Sequence, residues 1–505
     1  PKGDSADGHG HLNASIIMGQ PIAGGGIVDD GGFLAGQGVA PNAKVYATKI
    51  FTNTTPTAPA HGDTKGQSFT TLVARAYNAE ARISSNSWGF PTELGLYDTY
   101  SQEYDILARN ADPTSSDQKP MIFCFAAGNE GGDAGTIISP ATAKNVIAVG
   151  AAENCDHGVL DGSGMGPNDS DDIRDIAVFS SRGPPNDGRL GLTVVAPGVH
   201  IVGAASDDPN YNGRGVSGRD PSSLLPGEPA GNTKYYPANQ HDYTWSSGTS
   251  HSTPLVAGMV TLLYQYFQQM LGAPPSPALV KAALVAGAVD VAGGKLNDGS
   301  EDLVPHIPNV HSGWGRASLN GLVDGTNDQF MLDQDQVLTT STNTFSQNIL
   351  VADASKPVKV VLAWTDHAGS PLAASELVND LDLKVSDGAD TWLGNQFSVE
   401  TGFSVTGGSA DHVNNLEAVF VQHPKAGIYT ITVNASKLQA DGLSDSGTNL
   451  QQDFALFVNN GSAPSATGKV FWDRALYNCG SQAIITLSDL DLQGTGQLNV
   501  TVRDL

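Results

Sequence analysis

Short, continuous apolar runs that stop at glycine- or asparagine-rich turns constrain this chain more than any other feature. Over residues 1 to about 322 these runs are Lys44–Phe51, Arg82–Ser84, Met121–Phe125, Val146–Val149 and Thr193–Val195. Helix-like stretches such as Phe69–Ala81 and Ser252–Met270 stand between them. A strand that is apolar on both faces has to be covered on both, and alternating helices supply the cover. The pattern predicts an α/β unit over residues 1–322, with a doubly wound, mostly parallel sheet.

The texture changes near Leu322. Val358–Trp364, Leu381–Val385, Ala418–Val421, Tyr429–Val433 and Phe454–Val458 are short β-rich runs with turns such as Lys425-Ala426-Gly427 between them. They predict an antiparallel β-sandwich over 323–460. Asn459–Gly468 has the Gly/Ser/Pro composition of a linker, and 467–505 reads as part of a further β unit, because so short a segment rarely folds alone. The 59 glycines and 28 prolines are spread along the chain, as many tight turns require.

Asp plus Glu number 52 against 26 Lys plus Arg, a net charge of -26. That excess argues against nucleic acid or an anionic membrane as the main partner, since their phosphates would be repelled. No apolar run reaches the roughly 18 residues of a membrane-spanning helix. With 39% hydrophobic and 15% charged residues, a large core is affordable and a disordered chain is not expected. Cys124, Cys155 and Cys479 allow one disulfide at most and no metal-ligand spacing. Cys124, inside an apolar run, reads as a buried small hydrophobe.

Three constellations carry chemistry. In Ser246–Pro254, leading into Leu255–Tyr264, Gly248 permits a sharp turn and Pro254 suits a first helical turn. A serine there sits beside free N–H groups and the positive end of a helix dipole, a favourable place for a developing oxyanion. A Ser/Thr cluster also caps helices without any catalysis. Asp7-Gly8-His9-Gly10-His11 precedes the helix-like Leu12–Gly19. His9 there fits a general base, one half of a His9/His11 metal pair, or an ordinary surface turn. Met121–Ala127 delivers Asn129 to the Gly-lined edge Gly128-Asn129-Glu130-Gly131, where its amide either donates to a nearby charge or simply makes a turn.

Taken together, these segments resemble the subtilisin-like serine peptidases. His9-Gly10 matches the motif of the family's catalytic histidine, Ala127-Gly128-Asn129 its oxyanion asparagine, and Gly248-Thr249-Ser250 with Pro254 its nucleophile. Gly38-Val39-Ala40-Pro41, Ser87-Trp88-Gly89, Lys144-Asn145-Val146-Ile147, Phe179–Pro184, Ala196-Pro197-Gly198 and Gly313-Trp314-Gly315-Arg316 agree as well. Ser252, rather than Gly, two positions after Ser250 disfavours an α/β-hydrolase. Ala363-Trp364-Thr365-Asp366, Leu377–Leu383, Gly394-Asn395 and Asn414-Asn415-Leu416-Glu417 are similar to the C-terminal domain of the KP-43-like group.

The resemblance implies a secreted, monomeric serine endopeptidase acting on polypeptides through an acyl-enzyme. Ser250 would be the nucleophile and His9 its base, with the Ser250 N–H and the Asn129 amide holding the oxyanion. Ser87, Trp88 and Gly89 with Ala126, Ala127 and Gly128 would line the substrate pocket, and Glu130 would disfavour acidic side chains there. No cofactor is implied for catalysis, although structural calcium fits a family habit. Asp169–Asp175 and the Asp380/Asp382 pair are its candidate sites, and solvated acidic loops are the plainer reading. The family's triad Asp stands roughly thirty residues before the histidine. Only Asp4 and Asp7 precede His9 here, and Asp7 is too close along the chain to reach the ring's far nitrogen easily. The expectation is therefore that the strand bearing the Asp lies upstream of Pro1, and that the chain as it stands is a poorly soluble, poorly active fragment. The rival is a catalytically dead subtilase scaffold acting as a protein-binding module. Sequons fall at Asn13, Asn53, Asn168, Asn434, Asn460 and Asn499; Asn13, on the histidine's helix, is an improbable glycan site.

Overall fold

In a computed structural model of the chain, the described residues run from 7 to 464, with 21–25, 29–33, 51–66, 93, 116, 156–164, 210, 212, 214–234, 237–239, 297–301 and 445–446 left out, and the backbone of 469–472 and 485–488 is described besides. The first part contains α1 (His9–Met18), α2 (Phe69–Asn78), β1 (Ile83–Asn86), α3 (Thr99–Arg109), β2 (Ile122–Ala126) and β3 (Ile147–Ala152). It continues with β4 (Val194–Pro197), β5 (Ile201–Ala204), β6 (Tyr243–Ser246), α4 (Thr249–Leu271) and α5 (Pro277–Gly287). Strands β1-β2-β3-β4 form a parallel sheet in that order, and β5 pairs with β6 as an antiparallel hairpin.

The central strands β2 and β3 are buried at every residue, as their continuous apolar sequence requires. α4 packs along one face of the sheet. α3 lies on the other, where Tyr104, Leu107 and Ala108 share a core with Phe123 and Phe125. Three of the helices are started by side chains: Ser68 caps α2, Asp98 caps α3, and Ser276 with Pro277 starts α5. Two expectations change. Lys44–Ile50 makes no ladder and Val45 and Tyr46 are exposed; Phe51 is outside the described residues. Pro254 is the sixth residue of α4 rather than part of its first turn.

The second part is antiparallel. It comprises β7 (Gln329–Thr339), β8 (Thr344–Val351), β9 (Val358–Ala363), β10 (Asp380–Ser386), β11 (Thr391–Phe397), β12 (Ser404–Thr406), β13 (Leu416–Val421), β14 (Gly427–Lys437) and β15 (Gln451–Asn459). One sheet has the order β12-β11-β10-β14-β8 and the other β13-β9-β15-β7, with a shared core of Val360, Leu362, Leu381, Leu383, Ile431, Phe454 and Leu456 between them. The expected linker starts late: Asn460 is buried and donates to the carbonyls of Asp353 and Lys356, and Ser462 bridges to Leu350. Of the further β unit at 467–505, only the backbone of hairpin β16 (Lys469–Trp472) and β17 (Ile485–Ser488) lies within the described residues. Cys124 is fully buried in β2, Cys155 is exposed and free, and Cys479 lies outside the described residues.

Candidate active site

The site gathers at the carboxyl edge of the parallel sheet, where strand ends and helix starts meet and backbone groups are left unpaired. β6 feeds α4 through Ser247 and Gly248. Gly248 has φ 150 and ψ 155, a conformation essentially reserved for glycine, and this turn sets Ser250 as the second residue of α4. At that position its N–H has no acceptor within the helix. Gly198, at the end of β4, lets the turn approach: a Cβ there would lie 2.4 Å from Ser252 Oγ and 2.6 Å from the Ala151 Cβ.

The position of Pro254 has a consequence at Ser250. In a helix the N–H of residue 254 would bond the carbonyl of residue 250, and proline has none. Ser87 Oγ supplies the missing donor at 2.6 Å. In return Ser250 Oγ lies 3.5 Å from the carbonyl oxygen of Ser87, a long contact that leaves the hydroxyl loosely held. The nucleophile is thus tied to Ser87-Trp88-Gly89. β1 and β2 are parallel neighbours with Asn86 opposite Phe125, so this segment and Ala126-Ala127-Gly128 leave the sheet side by side. The Trp88 ring turns inward, stacked on Phe69 at 4.9 Å and edge-on to Phe125 at 5.6 Å, which leaves its backbone at the site.

Asn129 is exposed at the edge of the site, and its orientation is fixed chemically. Its Oδ1 accepts from the Thr249 N–H at 2.8 Å and from Thr249 Oγ1 at 2.8 Å. A backbone N–H can only donate, so the atom facing it must be the oxygen, and Nδ2 is the edge of the amide left for another acceptor. Ser181 braces the loop, its Oγ accepting from the Glu130 N–H and its N–H donating to the Gly128 carbonyl.

His9 opens α1, which packs against α4. Burial lowers the pKa of its ring, and the charge of Asp7 raises it in part. Asp7 itself accepts from the His9 backbone N–H at 3.2 Å. Among the described residues no carboxylate bonds the ring; Asp4 lies outside them. The ring's Nδ1 instead faces Asn13 Nδ2 at 3.3 Å, and Asn13 Oδ1 meets His251 Nδ1 at 2.8 Å. Sequence reasoning missed Asn13 and His251. The available signals were the i, i+4 spacing from His9 and the adjacency to Ser250. Asn13 is 8% exposed with both ends of its amide engaged, which leaves no room for a glycan. The His9/His11 metal pair is not formed: residues two apart point to different faces of a helix, and His11 lines a surface groove with Met18 and Pro41.

Two acidic clusters lie elsewhere. Glu153, Asp171 and Asp175 converge beyond β3, while Asp169 is spent on the Gly166 N–H. In the second part, Asp380 and Asp382 on β10 lie near Glu417 on β13, with His412 on Asp380 at 2.7 Å. Asp380 Oδ1, Asp382 Oδ1 and Glu417 Oε1 are buried without a hydrogen-bond donor. Burial, with the neighbouring carboxylates, pushes Glu417 up to about 9.

A family model described as the subtilase family matches residues 1–315. The serine protease/ABC transporter B family protein tagA of Dictyostelium discoideum is 28% identical over 285 residues, covering 51% of this chain and 14% of that protein. The serine protease AprX of Bacillus subtilis is 33% identical over 145 residues, covering 29% of this chain and 26% of that protein. The chain thus spans about a seventh and about a quarter of the length of these two relatives. Among solved structures, the patellamide maturation protease PatA aligns with a TM-score of 0.37 and 24% identity, over 62% of this chain and 81% of that one. Sphericase aligns with a TM-score of 0.36 and 21% identity, over 62% and 77%. The family match and the motifs that bear it agree: this chain belongs to the subtilase family, a membership that supports serine peptidase activity in general.

Proposed function

We propose that the chain is a serine endopeptidase unit that hydrolyses peptide bonds in extended polypeptides. The observation that carries this reading is the fixed amide of Asn129, whose free Nδ2 edge stands beside the start of α4. Ser250 Oγ attacks the carbonyl carbon, and His9 Nε2 takes the hydroxyl proton. The oxyanion is held by the Ser250 N–H and Asn129 Nδ2. His9 then returns the proton to the leaving amine, and water releases the acyl group by the same steps in reverse. Substrate lies extended between Ser87-Trp88-Gly89 and Ala126-Ala127-Gly128, pairing with their backbone as an added strand. Glu130 would bias that pocket against acidic side chains. Because no carboxylate among the described residues holds the His9 ring, turnover by this chain is expected to be low. The test is cleavage of an unfolded polypeptide by the purified chain: slow cleavage, abolished in Ser250→Ala, is expected. Binding without cleavage, equal in both, would favour a protein-binding scaffold instead.

The second part supports a place in the KP-43-like group through Ala363-Trp364-Thr365-Asp366 and Leu377–Leu383. Secretion and a monomeric state belong to the same reading and are checked by fractionation of the source culture and by sedimentation. Calcium fits the Asp380 and Asp382 pair, because a hard cation would satisfy two carboxylate oxygens that have no donor. It takes no part in the chemical steps.

A further inference from the structure

We propose that Ile138 closes the inner end of the substrate pocket, so that the chain cuts after residues with small side chains: glycine, alanine or serine. The inference rests on the peptidase reading above and names the substrate class of that same site.

On that reading the pocket's two walls are the segments that leave β1 and β2 side by side. Asn86 stands opposite Phe125 in the register of those strands, so Gly89 and Gly128 each lie three residues beyond the pair. Neither wall carries a side chain at that level, and two bare glycines facing each other would leave a slot open to a large residue. Ile138 fills its inner end. A Cβ built on Gly89 would lie 2.5 Å from Ile138 Cδ1 and 2.7 Å from its Cγ1. One built on Gly128 would lie 3.0 Å from Ile138 Cγ2 and 3.2 Å from its Cγ1. One side chain therefore packs against both walls at once, and on the Gly89 side there is no room for even one more carbon.

Ile138 is held there from both sides. Its N–H donates to the Ala127 carbonyl at 2.9 Å, and the Phe90 N–H donates to the carbonyl of Ser139 at 2.8 Å. The Ile138 carbonyl accepts from the Ala141 N–H at 2.9 Å. Ser139 Oγ donates to Asp98 Oδ1, the carboxylate that caps α3, at 2.5 Å. The segment is thus stitched to both walls and to a neighbouring helix, and Ile138 is 7% exposed. A β-branched side chain has few rotamers to retreat into, and a packed interior resists the insertion of extra carbons. A hydrogen, methyl or hydroxymethyl group needs no more than the mouth of the slot. A benzyl or long aliphatic group needs the space that Ile138 fills. It would have to displace Ile138 or stay outside, with the reacting carbonyl drawn away from Ser250. Ile138 decides which substrate is accepted and supplies nothing to the chemical steps.

The experiment compares two peptide phosphonates that differ in one group, a methyl or a benzyl side chain next to phosphorus. Their rates of addition to Ser250 are read by mass spectrometry on the whole chain, on Ile138→Ala and on Ile138→Val. In the unmodified chain the methyl probe should add at least about tenfold faster, because even one methylene too many in a closed pocket is worth about that much. Ile138→Ala should close or reverse the ratio, chiefly by speeding the benzyl probe. Ile138→Val, which keeps most of the packing, should narrow it, and this variant decides alone if Ile138→Ala does not fold. A benzyl probe as fast as the methyl one in the unmodified chain, or a ratio that the folded variants leave unmoved, would overturn the role of Ile138 and leave the peptidase reading standing. Addition of neither probe in any form would overturn the peptidase reading, and this proposal with it.

Discussion

Asn129 shows how one donor that cannot accept decides the chemistry of a neighbour: the Thr249 N–H claims Oδ1, and Nδ2 is left for the oxyanion. Asn129→Leu is therefore expected to lower kcat by about 10²–10³ with little change in KM, the loss that follows removal of such a donor from a subtilisin. Equal losses in kcat/KM and a matching rise in KM would place Asn129 in ordinary substrate binding. His9, Asn129 and Ser250 are legible in the sequence because each stands in a glycine-marked segment, and glycine marks backbone that approaches something closely. Asn13 and His251 are not legible, since their meaning lies in a contact across 238 positions. Thr249 is legible as part of the nucleophile motif, but its grip on Asn129 is not.

Elements were readable where burial is one-sided in composition. β2 and β3 are apolar throughout, and β9 and β13 are apolar but for Lys359 and Glu417, so all four stand out. β7, β8 and β11 mix polar and apolar residues because one face meets solvent or another polar surface, and their runs are too broken to recognise. α3 and α5 do not stand out in the sequence either, although Asp98 and Ser276-Pro277 are start signals. α5 is buried at every residue but Lys281, so it lacks the polar stripe by which a surface helix is recognised. Glu417 on β13, whose Oε2 accepts from the Leu383 N–H on β10, brings the acidic groups of two different sheets near one another. If calcium sits at Asp380 and Asp382, adding it should raise the melting temperature of the chain, and Asp382→Asn should abolish the gain. A gain that survives Asp382→Asn would remove the metal from this position.

At the scale of the molecule, the two parts share one core. α5 lies against β9 and β15, Phe267 meets Phe457 at 5.8 Å, and Trp314 meets Phe397 and Phe420 at 5.6 and 5.9 Å. Buried ions cross the same boundary. Arg109 grips Asp453 with two bonds of 2.6 and 2.7 Å, and Lys144 holds Asp366 at 2.5 Å with both side chains fully buried. Such pairs add little net stability when made, but removing one partner strands a buried charge. Arg109→Ala should therefore destabilise the whole chain by about 3–5 kcal/mol, in a single urea transition that both parts share. Loss of the second part alone, with the first still folded, would show that the boundary is a joint rather than a core. The sequence announces both textures on either side of Leu322, yet gives no sign of this union, because the residues that make it look like ordinary core and ordinary surface charge.

The most direct test of the central claim is mass spectrometry of the chain after exposure to a fluorophosphonate. One adduct is expected, on Ser250, formed faster than on any other serine, slowed in His9→Ala and absent in Ser250→Ala. No adduct on Ser250, or one whose rate ignores His9, would contradict it.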